Sequence, residues 1–96
     1  MEASRGPIDR LEDLIGSIVV LDLHSPYVCL GKLEHIGPEF FELRNADFHD
    51  LRDTQTSREN YVAASRTSGV KRNRRHVMIR RDDVVAISRM SDIVES

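Results

Sequence analysis

The sequence predicts a mainly β protein, folded as a small and strongly curved antiparallel barrel. Five short segments have the residue composition of strands, and turn residues separate them. The second of these segments has Gly31 near its middle, and a glycine inside a strand commonly marks a bulge or a sharp bend. The chain of 96 residues is long enough for one domain with a modest core of Ile, Leu and Val.

The first expected element is a short helix that precedes the strands. Pro7 suits the first turn of a helix, and Gly16 can end it in a left-handed conformation. Ile8, Leu11 and Ile15 then form one apolar stripe. A stripe this short is stable only when it packs on another element.

The predicted strands fall into two groups. The first group comprises residues 17–23, 27–36 and 39–44, and the second comprises residues 76–81 and 83–88. Pro26 separates the first two strands, because proline has no amide hydrogen for a sheet ladder. After Ala46 the strand signals stop until residue 76.

An insertion at about residues 47–75 separates the two groups of strands and is predicted to contain a helix. Thr56 and Glu59 have the spacing of a capping box, so a helix is expected over residues 57–67. Residues 68–69 mark its end, because they are Ser and Gly.

Charge is distributed unevenly along a chain whose formal net charge is -2. Residues 66–81 contain seven cationic side chains and no acidic one. Such a stretch can attract phosphate groups, and it can equally be a solvated loop that pairs with the acidic remainder of the surface. Both interpretations stay open on charge alone.

Several classes of function have no support in the sequence. The longest uncharged apolar run, residues 14–21, is too short to span a bilayer. The lone Cys29 is expected to be a buried, inert thiol and fits a reducing compartment, so we expect a cytoplasmic protein with no membrane partner.

There is no glycine-rich phosphate loop and no pairing of a nucleophile with a base, so neither enzymatic activity nor a cofactor is expected. His49, Asp50 and Asp53 come nearest to a metal cluster, but a match this short arises mostly by chance, and no metal site is predicted.

Four short patterns occur in a characteristic order. They are Gly16-x-x-Val19, Gly31-x-Leu33, Asn45-Ala46, and Val77-x-Ile79-Arg80 followed by Val84-Val85-x-Ile87-Ser88. In this order and after a helix, they resemble the Sm/LSm family over residues 8–46 and 76–89. The resemblance implies a five-stranded Sm-like (SH3-like) barrel with an N-terminal helix and, in this chain, a helical insertion between strands three and four. The domain would cover residues 7–89, between a flexible N-terminus of residues 1–6 and a C-terminal tail of residues 90–96.

The positions that bind RNA in this family are altered in this chain. Gly37 stands where the family usually has an aspartate, and Phe40 or Phe41 stands where it has an asparagine. The usual Arg-Gly pair of the family is replaced by Arg80 and Arg81. The resemblance therefore implies a role for Arg80 in contacting a base or a phosphate. The polar residues with which the family binds a base have no counterpart in this chain.

The predicted nucleic-acid contacts combine the resemblance with the basic stretch. They are Arg80, Arg81, Lys71, Arg72, Arg74, Arg75, Phe40 and Phe41. Consecutive residues of a regular strand point to opposite faces, so one of the two phenylalanines is expected in the core and the other is expected to be exposed. Arg80 can stack on a base or bind a phosphate, and its alternative role is an ion pair with Asp82 or Asp83.

The last two strands are expected to be open edges that pair with another copy of the chain. Val77, Ile79, Val85 and Ile87 are the predicted interface residues, and the resemblance implies a cyclic oligomer of about five to seven subunits. Two functions remain as alternatives. One is a ring that binds single-stranded RNA with low sequence specificity, and the other is a structural or protein-interaction ring that binds no nucleic acid.

Overall fold

The computed structural model describes residues 10–94, so the predictions for residues 1–9 and 95–96 lie outside the described residues. Its strands are β1 Ile18–Leu23, β2 Tyr27–Ile36, β3 Phe40–Asp50, β4 Arg74–Arg80 and β5 Val84–Arg89, and its α-helix is α1 Arg58–Ser68. Short 3-10 turns occupy Leu11–Leu14, Leu51–Asp53, Arg81–Asp83 and Met90–Asp92. The prediction of a mainly β fold with a helix between strands three and four is confirmed. None of the helices within residues 10–94 has the length and apolarity that a membrane crossing requires.

The five strands form one antiparallel sheet in the order β4-β3-β2-β1-β5. β4 and β5 are the outer strands, and among residues 10–94 each of them pairs with a neighbour along one side only. The expectation that the last two strands form the edges of the sheet is confirmed.

The sheet is covered on both faces. The inner core, on one face, consists of Leu14, Val19, Leu21, Leu23, Cys29, Leu33, Phe41, Leu43, Ala46 and Ile79. The outer core, on the opposite face, consists of Val20, Val28, Leu30, Val62 of α1 and Met90. Because apolar side chains are buried on either side, β1 is buried at three consecutive positions and has no alternation of apolar and polar residues.

The sheet bends at Gly31, where the register between β2 and β3 shifts. β3 contains one residue more than β2 at this point, and Asn45 there has a φ of 52°. A Cβ atom on Gly31 would lie 2.8 Å from the Cβ of Ala46. Only glycine allows the two strands to approach this closely, so the predicted bulge is confirmed.

β3 is longer than predicted. It was expected to end at Arg44, and it continues to Asp50 because the first half of β2 requires partners for its backbone groups, which residues 47–50 supply. The polar residues after Arg44 form the bulge and do not end the strand. The segment between β3 and β4 is therefore residues 51–73 and not 47–75.

The predicted first helix is reduced, within the described residues, to the 3-10 turn Leu11–Leu14. Ile15 has extended backbone angles and is 45% exposed, so it does not belong to an apolar stripe. Leu14 is buried in the inner core in its place, because a segment this short is stabilised by packing more than by helix propensity. Gly16 follows with a φ of 91°, which confirms the left-handed end.

α1 confirms the predicted inserted helix, but it begins one residue later than the capping box suggested. The hydroxyl of Ser57 accepts a hydrogen bond from the backbone N–H of Asn60 at 3.1 Å, so Ser57 and not Thr56 is the N-cap. Glu59 is then the second residue of the helix and completes no capping box. Gly69, with a φ of 97°, ends the helix as expected.

Candidate nucleic-acid interface

The turn between β2 and β3 and the connection between β4 and β5 lie side by side at one end of the sheet. The backbone N–H of Arg81 donates to the carbonyl oxygen of Glu39 at 2.8 Å. The guanidinium of Arg81 donates to the carbonyl oxygen of Gly37 at 2.7 Å. Phe40 is the direct cross-strand partner of Arg80. The pairing of β3 with β4 therefore brings together predicted contact residues that are far apart in the sequence.

Arg81 stabilises this end of the sheet from within the chain. Its guanidinium carbon lies 5.3 Å from the centroid of the Phe41 ring, in cation–π contact. Phe41 is 4% exposed and belongs to the inner core. It is the core member of the phenylalanine pair, as strand alternation requires, and this burial corrects its assignment as a possible base-stacking residue.

Arg80 is exposed and forms a bidentate ion pair with Asp82. Its Nε lies 3.2 Å from Oδ1 and its Nη2 lies 2.7 Å from Oδ2 of that carboxylate. The hydrogen bonds with Asp82 raise the pKa of Arg80, so the guanidinium stays charged at any physiological pH. The alternative role considered for Arg80, an ion pair with a neighbouring acid, is the one present in the single chain.

An open hollow beside these turns is called the turn site here. It is lined by Pro38, Glu39, Phe40, Arg80, Arg81 and Asp82. Two cations and two carboxylates face it, so its lining carries no formal net charge. The half-buried Phe40 offers a surface on which a base can stack, whereas the balanced charges offer little attraction for phosphate.

The remaining predicted cations lie at the other end of β4. The basic segment, residues 71–75, carries four exposed cations, namely Lys71, Arg72, Arg74 and Arg75. Arg74 begins β4 and Arg80 ends it. At the usual rise per strand residue they are about 20 Å apart. The structure therefore divides the basic stretch between two sites.

Arg74 lies over an aromatic pair that the sequence patterns did not single out. Its guanidinium carbon is 5.7 Å from the centroid of the Phe48 ring, which stacks on Tyr27 with the centroids 4.5 Å apart. Both rings are half-buried. They were missed because β3 was expected to end before Phe48. The length of β2, which requires an equally long partner, was the available signal.

The basic segment is attached to β3 through Asn73. Its backbone N–H donates to Ala46 at 2.8 Å, and its side-chain oxygen accepts from the N–H of Phe48 at 2.9 Å. Its amide nitrogen also donates to the Asp47 carboxylate at 3.2 Å. Asp47 is 2% exposed and accepts a second hydrogen bond, from the hydroxyl of Tyr61 in α1. One buried carboxylate thus connects both the helix and the basic segment to the sheet.

The fold is similar to those of solved Sm proteins. The Sm protein of Pyrococcus abyssii, in complex with a uridine heptamer, is 20% identical over 88% of this chain and 99% of that chain, with a TM-score of 0.58. An Sm-like protein of Archaeoglobus fulgidus is 17% identical over the same shares of the two chains, with a TM-score of 0.55. This chain has the Sm fold.

The chain is also similar in fold to a chain from a different assembly. A chain of the NatC complex bound to CoA is 18% identical over 85% of this chain and 86% of that chain, with a TM-score of 0.53. No known protein-family model and no curated protein matches the sequence. At these identities the similarity concerns the fold, and the function has to be argued from the residues.

Within this Sm fold, the predicted interface residues differ in exposure. Val85 is 60% exposed on β5, whereas Val77 and Ile87 are half-buried and pack against the inner core. Ile79 is 6% exposed inside that core, so its side chain is corrected from an interface residue to a core residue. Met78, its neighbour on the opposite face of β4, is 49% exposed and was not predicted, although strand alternation would have indicated it.

Proposed function

We propose that this chain is a divergent Sm-like subunit that assembles into a ring and binds single-stranded RNA with low sequence specificity. The proposal places it in the cytoplasm and assigns it no catalytic activity, cofactor or membrane partner. The Sm fold supports it, since one protein with this fold is in complex with a uridine heptamer.

The basic segment is the observation that carries the RNA proposal. Lys71, Arg72 and Arg75 are exposed and form no ion pair with any of residues 10–94. A cation without a carboxylate partner keeps its full attraction for phosphate, and such contacts supply most of the affinity of sequence-independent binding. In a ring the segment would be repeated around the axis, which would give a net-acidic protein a positive band.

The open sheet edges support assembly. β4 and β5 each have one free side within the described chain, so β4 of one copy can pair head to tail with β5 of the next. Met78 and Val85 lie on these two edges and are the large exposed apolar side chains there. A ring of five to seven subunits is proposed from the resemblance to the Sm/LSm family.

Fluorescence anisotropy with a labelled uridine-rich single strand, at several salt concentrations, tests the RNA proposal. Affinity should fall steeply with salt, because each neutralised phosphate contributes about 0.7 to the slope of log K against log salt. Lys71→Ala with Arg72→Ala should weaken binding and reduce the slope by up to about 1.4. The matched control, Arg10→Ala with Lys32→Ala, removes the same charge elsewhere and should leave the slope unchanged. Absence of binding by the unmodified protein at low salt contradicts the proposal.

Light scattering at micromolar concentration tests the ring. Val85→Asp should release monomers, because assembly would bury the new charge against the next subunit. Val85 is exposed on β5, so the substitution should not disturb the fold of its own subunit. Val94→Asp is the control, since Val94 is 86% exposed near the end of the described chain. An unmodified protein that is monomeric under these conditions contradicts assembly.

The turn site favours a second function, a structural or protein-interaction ring. Arg80 is paired with Asp82 and Arg81 with Gly37, so both arginines already have partners within the chain. The similarity to a chain of a multiprotein complex is in keeping with this alternative. In that version Arg80→Ala with Arg81→Ala lowers the thermal stability of the ring, and the anisotropy measurement finds no RNA affinity that could be lost.

A further inference from the structure

The turn site contains one carboxylate that has no hydrogen-bonding partner among residues 10–94, that of Glu39. The other carboxylate of the site, Asp82, accepts from Arg80 with both of its oxygens. Glu39 is exposed, and only its backbone carbonyl is used, by the N–H of Arg81. The Glu39 carboxylate attracts the guanidinium of Arg80 electrostatically, but its two oxygens accept no hydrogen bond from residues 10–94.

Phe40 gives this carboxylate an aromatic neighbour. Phe40 is half-buried at the start of β3, directly opposite Arg80, so the two side chains lie on the same face of the sheet. Phe40 and Glu39 line the same hollow. Proteins read single-stranded RNA in this way, by stacking a base on an aromatic ring and hydrogen-bonding its Watson–Crick edge.

An ionised carboxylate accepts hydrogen bonds and donates none, so it discriminates among the bases. Guanine presents two adjacent donors on its Watson–Crick edge, the N1–H and the N2 amino group, which match the two oxygens of one carboxylate. Uracil presents one donor flanked by two carbonyl oxygens, which a carboxylate repels. Adenine and cytosine present one amino group beside a ring nitrogen that is itself an acceptor.

We propose that the turn site prefers guanine, with the base stacked on Phe40 and its N1–H and N2 amino group bound by the Glu39 carboxylate. This inference rests on the proposed RNA-binding function and adds a base preference to it. The basic segment supplies the sequence-independent affinity, and the turn site, at the other end of β4, supplies a modest selectivity.

The test compares the affinities of the full chain for four labelled RNAs. The first is a uridine heptamer, and the others are the same strand with guanosine, inosine or adenosine at the central position. Inosine keeps the N1–H of guanosine and lacks only the N2 amino group. The guanosine strand should bind about fivefold more tightly than the uridine strand, the lower limit for one bidentate base contact, and the inosine strand should fall between them.

Glu39→Gln is the decisive variant, and Glu59→Gln on α1 is its charge-matched control. Both remove one negative charge from an exposed position, so both should raise the affinity for the uridine strand by a similar factor. The ratio of guanosine to uridine affinity should fall to about one in Glu39→Gln and stay near five in Glu59→Gln.

RNA binding with equal affinities for the guanosine and uridine strands overturns the base preference and leaves the proposed function standing. A preference that survives in Glu39→Gln also overturns the assignment, and failure to bind any of the four RNAs overturns both proposals.

Discussion

The guanidinium of Arg81 donates to the carbonyl oxygen of Gly37 at 2.7 Å and so connects the loop before β5 to the turn before β3. The same guanidinium lies over the buried ring of Phe41. Two turns that are distant in sequence are therefore held as one unit, with the turn site beside them. Substitutions at this unit separate its structural role from its recognition role.

Arg81→Ala should lower the free energy of unfolding by about 1–2 kcal/mol, because it removes a charge-assisted hydrogen bond and a cation–π contact at a half-exposed position. Arg80→Ala should leave the free energy of unfolding nearly unchanged, because exposed ion pairs contribute little. Urea denaturation at a fixed protein concentration measures both. Equal losses for the two variants would contradict the structural role assigned to Arg81.

Gly31→Ala should destabilise the fold by about 1–3 kcal/mol, the usual cost of overpacking. The added methyl group would lie 2.8 Å from the Cβ of Ala46, in the middle of the bend. Ala46→Gly in the same chain should restore part of the loss, and a double-mutant cycle measures this coupling. Additive effects of the two substitutions would show that the close contact does not determine the bend.

Ser57→Ala should destabilise α1 by about 1 kcal/mol, whereas Thr56→Ala should have almost no effect. The reason is that the Ser57 hydroxyl, and not that of Thr56, accepts from the N–H of Asn60. Amide hydrogen exchange across residues 58–68 reports the local stability. Faster exchange in the Thr56 variant than in the Ser57 variant would place the N-cap one residue earlier.

Cys29 should resist alkylation in the folded protein even at mildly alkaline pH. Burial in the inner core is the main cause that raises its pKa from an ordinary value of 9.0 to about 12, and the nearby Asp47 adds to the effect. The reactive thiolate is therefore scarce until the chain unfolds. Iodoacetamide labelling with and without urea, read by mass spectrometry, measures this difference, and rapid labelling without urea would contradict the burial.

The same shift has a consequence for stability. The unfolded chain releases the thiol proton above about pH 9, and the folded chain retains it until about pH 12. The contribution of Cys29 to stability is therefore complete below pH 9 and declines as the pH rises from there towards 12. Cys29→Ala should make the alkaline decline in stability smaller, which urea titrations at increasing pH would show. A decline due to Tyr61, whose pKa is also raised by burial and by its hydrogen bond to Asp47, should remain.

The sequence allowed the strands and the inserted helix to be predicted where local signals agree with packing. Gly31 marked the bend, and Gly16 and Gly69 marked the ends of their segments, because a glycine conformation leaves a local signature. The second half of β3 was missed because its partner, the start of β2, is distant in sequence. Pairing between strands is decided by such non-local contacts, and composition alone does not record them.

The candidate site was predicted in a similar way. Arg80 and Phe40 were expected to act together, and the antiparallel register does place them opposite each other. Glu39 was not predicted, because an exposed acidic residue in a turn has no sequence signal that separates it from other surface carboxylates. The separation of the basic segment from Arg80 follows from the length of β4. A count of charges along the sequence contains no information on this distance in space.

Asp47 fixes the segment between β3 and β4 at two points. It accepts a hydrogen bond from Tyr61 of α1 and another from Asn73, so the chain between these two residues is anchored to β3 at both ends. Lengthening a loop whose ends are already fixed costs only about 0.6 kcal/mol for each doubling of its length. A peptide epitope grafted after the exposed Gly69 should therefore be displayed on the surface while the sheet keeps its register. The two hydrogen bonds that Asp47 accepts thus make this segment suitable for the display of foreign loops.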